Sequence, residues 1–131
     1  MNITTMSTSF LDTLLGYEDI GNGIGDTTRE AKEALVLMAV GMKEKWKVPV
    51  SFHLKRGVMA DQQKTLIMAA IDALQEQNIH ARVVTFDGAA TNMSTAKKLG
   101  CDYEHDVYYF QYENRQIYVT LDACHMLKVL R

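Results

Sequence analysis

The sequence predicts a mixed α/β domain in which helices pack against a sheet. Its apolar spacing changes along the 131 residues from strand-like runs to a helical stripe and back again. Short strands before and after the helical segment are typical of a layered fold that contains parallel strands. The length fits one domain, and the 47% share of apolar residues is ordinary for a packed core.

Three strands are predicted before the first helix. The first covers residues 14–20 and ends in a glycine-dense loop at residues 21–25. The second, residues 34–42, is an almost unbroken apolar run, which suits a strand covered on both faces. The third, residues 49–54, alternates, with Val50, Phe52 and Leu54 on one face and Ser51 and His53 on the other.

The helix predicted over residues 60–77 has one apolar stripe, formed by Leu66, Ile67, Ala70, Ile71 and Leu74. Asp61 suits the exposed amides of its first turn, and Asn78 is a typical residue for its end. A strand over residues 81–86 follows and stops at Asp87 and Gly88.

The remaining segments continue the alternation. A short helix over residues 91–99 ends at Gly100, as helix C-termini commonly do. Two strands over residues 107–112 and 116–121 follow, and residues 123–131 have the pattern of a helix start.

Composition excludes several classes of protein. No apolar run approaches the roughly 18 residues of a membrane span, and residues 1–10 lack the basic start and apolar stretch of a secretory signal. Two cysteines are too few for a disulfide framework, so we expect a reducing compartment and no secretion. Because the net charge is -2, contact with nucleic acid is expected to be local or mediated by metal.

Two aspartates are the main candidates for a functional site. The connection between residues 81–86 and 116–121 is long enough for a right-handed crossover between parallel strands. Asp87 and Asp122 would then both follow strand ends at the edge where α/β sheets place ligands. Two carboxylates brought together repel each other, and a divalent cation such as Mg²⁺ relieves that repulsion and also binds phosphate oxygens.

Each aspartate also has a simpler interpretation. Asp87 before Gly88 is ordinary turn chemistry, and Asp122 is a suitable cap for the final helix. From the residues alone, the simpler interpretations and the shared cation site both stay open.

Four segments carry a family resemblance: GYEDIGNG at residues 16–23, ALVLMAVGMKEKWKVPVSFHL at 34–54, FDGAATN at 86–92 and DACHMLKVLR at 122–131. In this order and spacing they resemble the RNase H-like catalytic domain of P-element-type transposases, the group that includes the THAP-domain transposases of animals. The resemblance implies an RNase H-like mixed sheet with flanking helices. It divides the chain into a non-matching segment, residues 1–13, and a partial RNase H-like domain, residues 14–131.

The resemblance also implies roles for individual residues. Asp87 matches the second acidic residue of the family's metal-binding DDE/D triad. Asp122 and His125 match an Asp-x-x-His motif that supports the catalytic core, and Asn92 and Lys128 match structural or DNA-proximal positions. Such enzymes use two Mg²⁺ ions to attack DNA phosphodiesters, so Mg²⁺, DNA, a transposase oligomer and a nuclear location are implied as well.

The sequence departs from the family pattern at two of the three acidic positions. The family's first catalytic Asp lies in a strand upstream of GYxDxG, whereas Asp12 is the sole acidic residue of residues 1–13. The third acidic residue would lie downstream of Arg131. We therefore expect an incomplete domain that lacks the first central strand and the C-terminal part, and that does not cut DNA alone. A second hypothesis is that residues 1–10 fill the central position imperfectly.

Two further patterns have competing interpretations. Trp46 lies between Lys45 and Lys47, which makes it a candidate for stacking near DNA, although a hairpin tryptophan lying on the sheet explains it too. The spacing of four potential zinc ligands matches no familiar zinc pattern: Cys101, His105, Cys124 and His125.

Three functions stay open on this basis. The first is a fragment of a P-element-like transposase domain, related to metal-dependent DNA cleavage and transfer but inactive alone. The second is a non-catalytic protein- or DNA-binding module derived from a transposon, in the nucleus or the cytoplasm. The third is a small α/β enzyme that binds a phosphoester between Asp87 and Asp122.

Overall fold

The computed structural model describes residues 2–7 and 30–130. Its strands are β1 (Asn2–Ser7), β2 (Glu33–Gly41), β3 (Lys47–Lys55), β4 (His80–Ala81), β5 (Val83–Phe86), β6 (Tyr109–Tyr112) and β7 (Arg115–Leu121). Its helices are α1 (Ala60–Glu76), α2 (Ala90–Leu99) and α3 (Ala123–Val129), with a 3₁₀ turn at Tyr103–His105. No helix in the described part of the chain is long and apolar enough to span a bilayer.

The strands form two connected sheets with the orders β3-β2-β1-β4 and β5-β7-β6. β2 is antiparallel to β1 and to β3, whereas β1 is parallel to β4. Arg82 alone separates β4 from β5, which neighbours β1 as well, so the chain passes directly from one sheet into the other. Because β5 is parallel to β7, the strands β1, β3, β4, β5 and β7 all run in one direction.

The central position of the first sheet is filled by β1. Ile3 pairs with Gly41 on one side and with Ala81 on the other. The expectation that the first central strand is missing is therefore wrong, and the hypothesis that residues 1–10 fill it is confirmed for Asn2–Ser7. The pairing with β2 is irregular, with a register shift between Ile3 and Thr5. The strand predicted over residues 14–20 and its glycine-dense loop lie outside the described residues.

The other predicted elements are observed with small differences. The strand predicted over residues 81–86 is divided at Arg82, and the strand predicted from residue 107 begins at Tyr109. Val107 instead forms a bridge with Asp102 through two backbone hydrogen bonds of 2.8 and 2.9 Å, which close the unpredicted 3₁₀ turn. Asn78, just past α1, has a φ of 58°, in agreement with its predicted role as the helix end.

The core lies between the sheet and the two long helices. Leu35 and Leu37 of β2, and Ile67 and Ile71 of α1, are at most 1% exposed. The apolar stripe predicted for α1 is buried except for Leu66, which is partly buried. One polar residue joins the buried stripe of the helix, namely Gln63.

β3 turns its polar face inward. The alternation of this strand predicts which side chains share a face but not which face is covered. In the structure His53 and Lys55 are buried, whereas Phe52 is 71% exposed. The register explains this choice, because His53 pairs with the core residue Leu35.

A hydrogen bond from a tyrosine links β6 to α1. The Tyr112 hydroxyl donates a hydrogen bond to Oδ1 of Asp72 at 2.5 Å. The Arg115 guanidinium lies 5.0 Å from the Tyr112 ring centroid. The hydrogen bond to Asp72, together with burial, raises the pKa of Tyr112 to about 12.

We predict that the backbone amides of residues 3–6 are protected from hydrogen exchange. β1 pairs with β2 over residues 3–7 and with β4 at Asn2 and Ile3, so its bonded amides open only when the sheet opens and should exchange about as slowly as those of Leu37 and Ala39. Exchange followed by NMR measures this, with the turn residues 42–45 as a fast-exchanging control. Fast exchange in β1 beside a protected β2 would contradict the central placement.

The Tyr112–Asp72 bond predicts a pH dependence of stability. Because the folded-state pKa of Tyr112 lies above the usual value of about 10, the unfolded chain ionises first as the pH rises. The free energy of unfolding should therefore fall between about pH 10 and about pH 12. Urea midpoints across this range should fall less for Tyr112→Phe than for the wild type. The control Tyr118→Phe, at an exposed tyrosine, should retain the full fall.

Candidate functional site

The strand directions bring four charged residues to one edge of the sheets. β3, β5 and β7 are parallel and end there at Lys55, Phe86 and Leu121, while the antiparallel β2 begins there at Glu33. We use "carboxyl edge" for this edge, defined by Glu33, Lys55, Asp87 and Asp122.

Asp87 and Asp122 follow paired residues of adjacent parallel strands. Phe86 pairs with Leu121, and the amide of Asp122 donates to the carbonyl oxygen of Phe86 at 2.7 Å. The parallel arrangement predicted from the crossover length is therefore present. It places both carboxylates at the position where α/β sheets bind ligands. Their roles in metal binding or catalysis stay predictions.

The carboxylate of Asp87 is fixed by hydrogen bonds to α2 and to the turn before it. Its Oδ1 accepts from Asn92 Nδ2 at 2.5 Å and from the amide of Ala89 at 3.0 Å. The predicted turn role of Asp87 is thus observed together with its position at the carboxyl edge. Asn92, predicted as structural or DNA-proximal, contacts this carboxylate directly.

A buried polar network continues from Asn92 into the core. Asn92 Oδ1 accepts from Gln63 Nε2 at 2.6 Å, and the Thr95 hydroxyl lies 3.3 Å from Gln63 Oε1. These three side chains are at most 4% exposed, so their polar groups depend on each other rather than on water. Through this network, α1 and α2 together set the orientation of Asp87. Sequence reasoning missed Gln63, although a polar residue on an apolar helical stripe was a visible signal.

Asp122 caps α3. Its Oδ1 accepts from the amides of Cys124 at 2.9 Å and His125 at 3.3 Å, which confirms the simpler interpretation of this residue. His125 therefore contacts Asp122 through its backbone, and the side chains of His125 and Lys128 are exposed on α3.

α3 approaches the turn after Asp87 closely. A Cβ atom at Gly88 would lie 2.7 Å from the sulfur of Met126, so a larger residue here would require the Met126 side chain to move. The Met126 side chain of α3 therefore lies against the turn that follows Asp87.

Lys55 was not predicted from the sequence as a site residue. Its residue exposure is 5%, and its Nζ lies 3.8 Å from Oε2 of Glu33. Burial lowers the pKa of Lys55, while the carboxylates of Glu33 and Asp87 act in the opposite direction and favour the charged ammonium. The alternation of β3 shows that His53 and Lys55 share a face, but it does not show that this face is buried.

Trp46 lies at the opposite edge. It belongs to the turn between β2 and β3, where a Cβ atom at Gly41 would lie 2.5 Å from its indole Nε1. It is partly buried against the core, so the tryptophan lies on its own hairpin. The nine residues of β2 separate this turn from the carboxyl edge by about 30 Å. The structure therefore does not bring Trp46 together with Asp87.

The potential metal ligands in the described part of the chain do not form a cluster. Within residues 2–7 and 30–130, no three His, Cys, Asp or Glu side chains group closely enough to hold an ion. At the carboxyl edge, Asp87 and Asp122 each use one oxygen, Oδ1, to accept hydrogen bonds from N–H groups. The described residues alone therefore do not supply the set of carboxylates that two Mg²⁺ ions would share.

Three comparisons relate the chain to known proteins. Residues 4–100 match the family described as TNP-like, RNase H N-terminal domain. Over 129 residues the chain is 30% identical to DNA transposase THAP9 of Homo sapiens, and the match covers 90% of this chain and 14% of that protein. The fold matches a chain of the Drosophila P element transposase strand transfer complex with a TM-score of 0.73 at 15% identity. That match covers 98% of this chain and 28% of the other.

The network around Asn92 predicts a loss of stability in Asn92→Ala. The change leaves the buried Gln63 amide without its acceptor, which should cost about 1–3 kcal/mol. Urea denaturation should show a lower midpoint with an unchanged slope. Thr91→Ala, at an exposed neighbour in α2, is the matched control. Equal midpoints for the two variants would show that the network does not stabilise the fold.

Proposed function

Because this chain belongs to the TNP-like family of RNase H N-terminal domains, we propose that it is the N-terminal part of a transposase catalytic domain that does not cut DNA alone. The expected RNase H-like fold and the resemblance to P-element-type transposases are both confirmed. The chain spans a small part of each relative, 14% of the human transposase and 28% of the Drosophila chain. Cleavage and transfer of DNA are therefore proposed only for a complete domain.

The observation that carries the proposal is the composition of β1. This strand occupies the central position, and its sequence NITTMS contains no Asp or Glu. By the family resemblance, the first catalytic Asp lies in that strand. Within the described residues, Asp87, which matches the second acidic residue, therefore has no carboxylate partner on β1 with which to anchor two metal ions.

Partners and location follow from the relatives and are part of the proposal. The Drosophila neighbour is a transposase in a strand transfer complex, which favours DNA and a longer transposase as partners of this chain. Because DNA is the proposed partner, the nucleus is the proposed location. Asn92 acts on Asp87 rather than on DNA in this proposal, and Lys128 is a candidate for contact with phosphates because it is exposed on α3.

A non-catalytic DNA-binding module is the second candidate. The turn between β2 and β3 exposes Lys43 and Lys45 beside Trp46, and Lys47 is exposed at the start of β3; Glu44 is the one acidic residue of the turn. Several lysines beside an aromatic ring are typical of surfaces that bind single strands. The third function, a free-standing phosphoester enzyme, has no support from the comparisons.

The proposal predicts that the purified chain does not nick DNA. Supercoiled plasmid incubated with the chain and Mg²⁺ or Mn²⁺ should be nicked no faster than with Asp87→Asn, because β1 supplies no carboxylate beside Asp87. Gel separation of nicked and supercoiled forms measures this. Metal-dependent nicking by the wild type that Asp87→Asn abolishes would refute the proposal.

A further inference from the structure

Basic side chains lie together at the edge of the sheets opposite the carboxyl edge. β2 ends at this opposite edge, and β1, β3, β4 and β7 begin there. We use "amino edge" for it, defined by six residues: Lys43, Lys45, Trp46, Lys47, His80 and Arg115.

β1 joins the two parts of the amino edge. Ile3 pairs with Gly41 of β2 on one side and with Ala81 of β4 on the other. Because neighbouring strands lie about 4.8 Å apart, Gly41 and Ala81 are separated by about 10 Å. The β2–β3 turn, which follows Gly41, and His80, which precedes Ala81, therefore lie within reach of one extended ligand.

The positive charge of Arg115 has only neutral groups as partners. Its Nη1 lies 3.3 Å from Nδ1 of His80, and its Nη2 donates to Oε1 of Gln75 at 2.5 Å. Burial, together with the charges of Arg115 and Arg82, lowers the pKa of His80, so this imidazole is neutral at neutral pH. Among residues 2–7 and 30–130, no carboxylate forms an ion pair with Arg115. The guanidinium is thus held in place with its charge available to an anion.

A groove beside Trp46 forms the other part of the amino edge. It has a volume of about 550 Å³, is lined by residues 40–47 and includes the apolar side chains of Met42 and Trp46. Because Trp46 is only partly buried, part of its indole is accessible. Glu44 is the one acidic residue of the groove, which is surrounded by three exposed lysines: Lys43, Lys45 and Lys47.

We propose that the amino edge binds a single strand of nucleic acid, with a base against Trp46 and its phosphates on the lysines of the turn and on Arg115. The inference rests on the second candidate function, the DNA-binding module, and extends its surface across β1 to a second basic group.

A single strand fits both parts of the amino edge. Its phosphates complement the lysines and the guanidinium, and its unpaired bases stack on aromatic rings such as an indole. An acidic peptide would use the charges but has no planar base for the groove. A duplex keeps its bases stacked inside the helix.

Trp46 is itself the probe for the test, because it is the sole tryptophan of the 131 residues. The full chain is titrated with oligothymidine at low salt, and the fluorescence of Trp46 and the anisotropy of the labelled strand are both followed. Heparin, a polyanion without bases, and polyglutamate are the competing ligands.

We expect saturable quenching of Trp46 by oligothymidine and binding at least about tenfold weaker for heparin and polyglutamate. Lys45→Gln and Arg115→Gln should each weaken binding and reduce the salt dependence, the slope of log K against log [salt], by about 0.7, because each loses one phosphate contact. Lys32→Gln, at an exposed lysine beside the start of β2 at the carboxyl edge, is the matched control and should bind as the wild type does.

His80 gives a second measurement that does not depend on a variant of Arg115. Since the charge of Arg115 lowers the pKa of His80, a phosphate bound to Arg115 should raise that pKa. An NMR titration of the His80 ring with and without oligothymidine measures the change, and it remains decisive if Arg115→Gln does not fold.

Three results would overturn the inference: quenching of Trp46 by heparin or polyglutamate with equal affinity, equal losses in Lys45→Gln and Lys32→Gln, or a pKa of His80 that the bound strand leaves unchanged. Binding seen by anisotropy without quenching of Trp46 would sink the inference but leave a DNA-binding module, whereas no binding at all would refute both. Failure of the first proposed function gives a separate result, metal-dependent nicking by the wild type.

Discussion

The pairing of β1 with β2 and β4 is the constraint on which the rest of the fold depends. Without it, the antiparallel hairpin β2–β3 has no bonded connection to the parallel strands, and two open sheet edges would be exposed. With it, β3 and β5 share one direction, so that Lys55 and Asp87 come to the same edge. The placement of the charged side chains at the candidate site therefore depends on β1, a six-residue strand that contains no charged side chain.

The core and the carboxyl edge are coupled through one buried polar network. Gln63 occupies a position on the apolar stripe of α1 where a leucine would pack without needing partners. Its amide instead bonds to Asn92, which in turn bonds to Asp87. Such a network is stable only when every member is satisfied, so the packing of α1 on α2 and the orientation of Asp87 depend on each other.

The helices and strands with a strong apolar periodicity could be predicted from the sequence. Features that depend on hydrogen bonds between distant strands could not. α1 has five stripe positions, and its predicted start is the observed one. Asp87 and Asp122 could be placed because both follow apolar strands. β1 could be predicted only as one of two alternatives, because its Thr-rich sequence has no clear alternation and its central position comes from hydrogen bonds to distant strands. The burial of Lys55 was missed for a similar reason, since alternation assigns residues to faces without showing which face the helices cover.

A buried lysine at this edge has a consequence for how the fold can change its chemistry. Replacing a buried ion pair with apolar residues is often neutral or stabilising, so stability alone does not require Lys55. The Glu33–Lys55 pair instead places a buried positive charge at the end of β3. A domain can therefore keep its strand order and the aspartate at position 87 while the other charged groups at its strand ends change. Family membership and catalytic competence thus depend on different residues: the first on the pairing of the strands, the second on the charges at their ends.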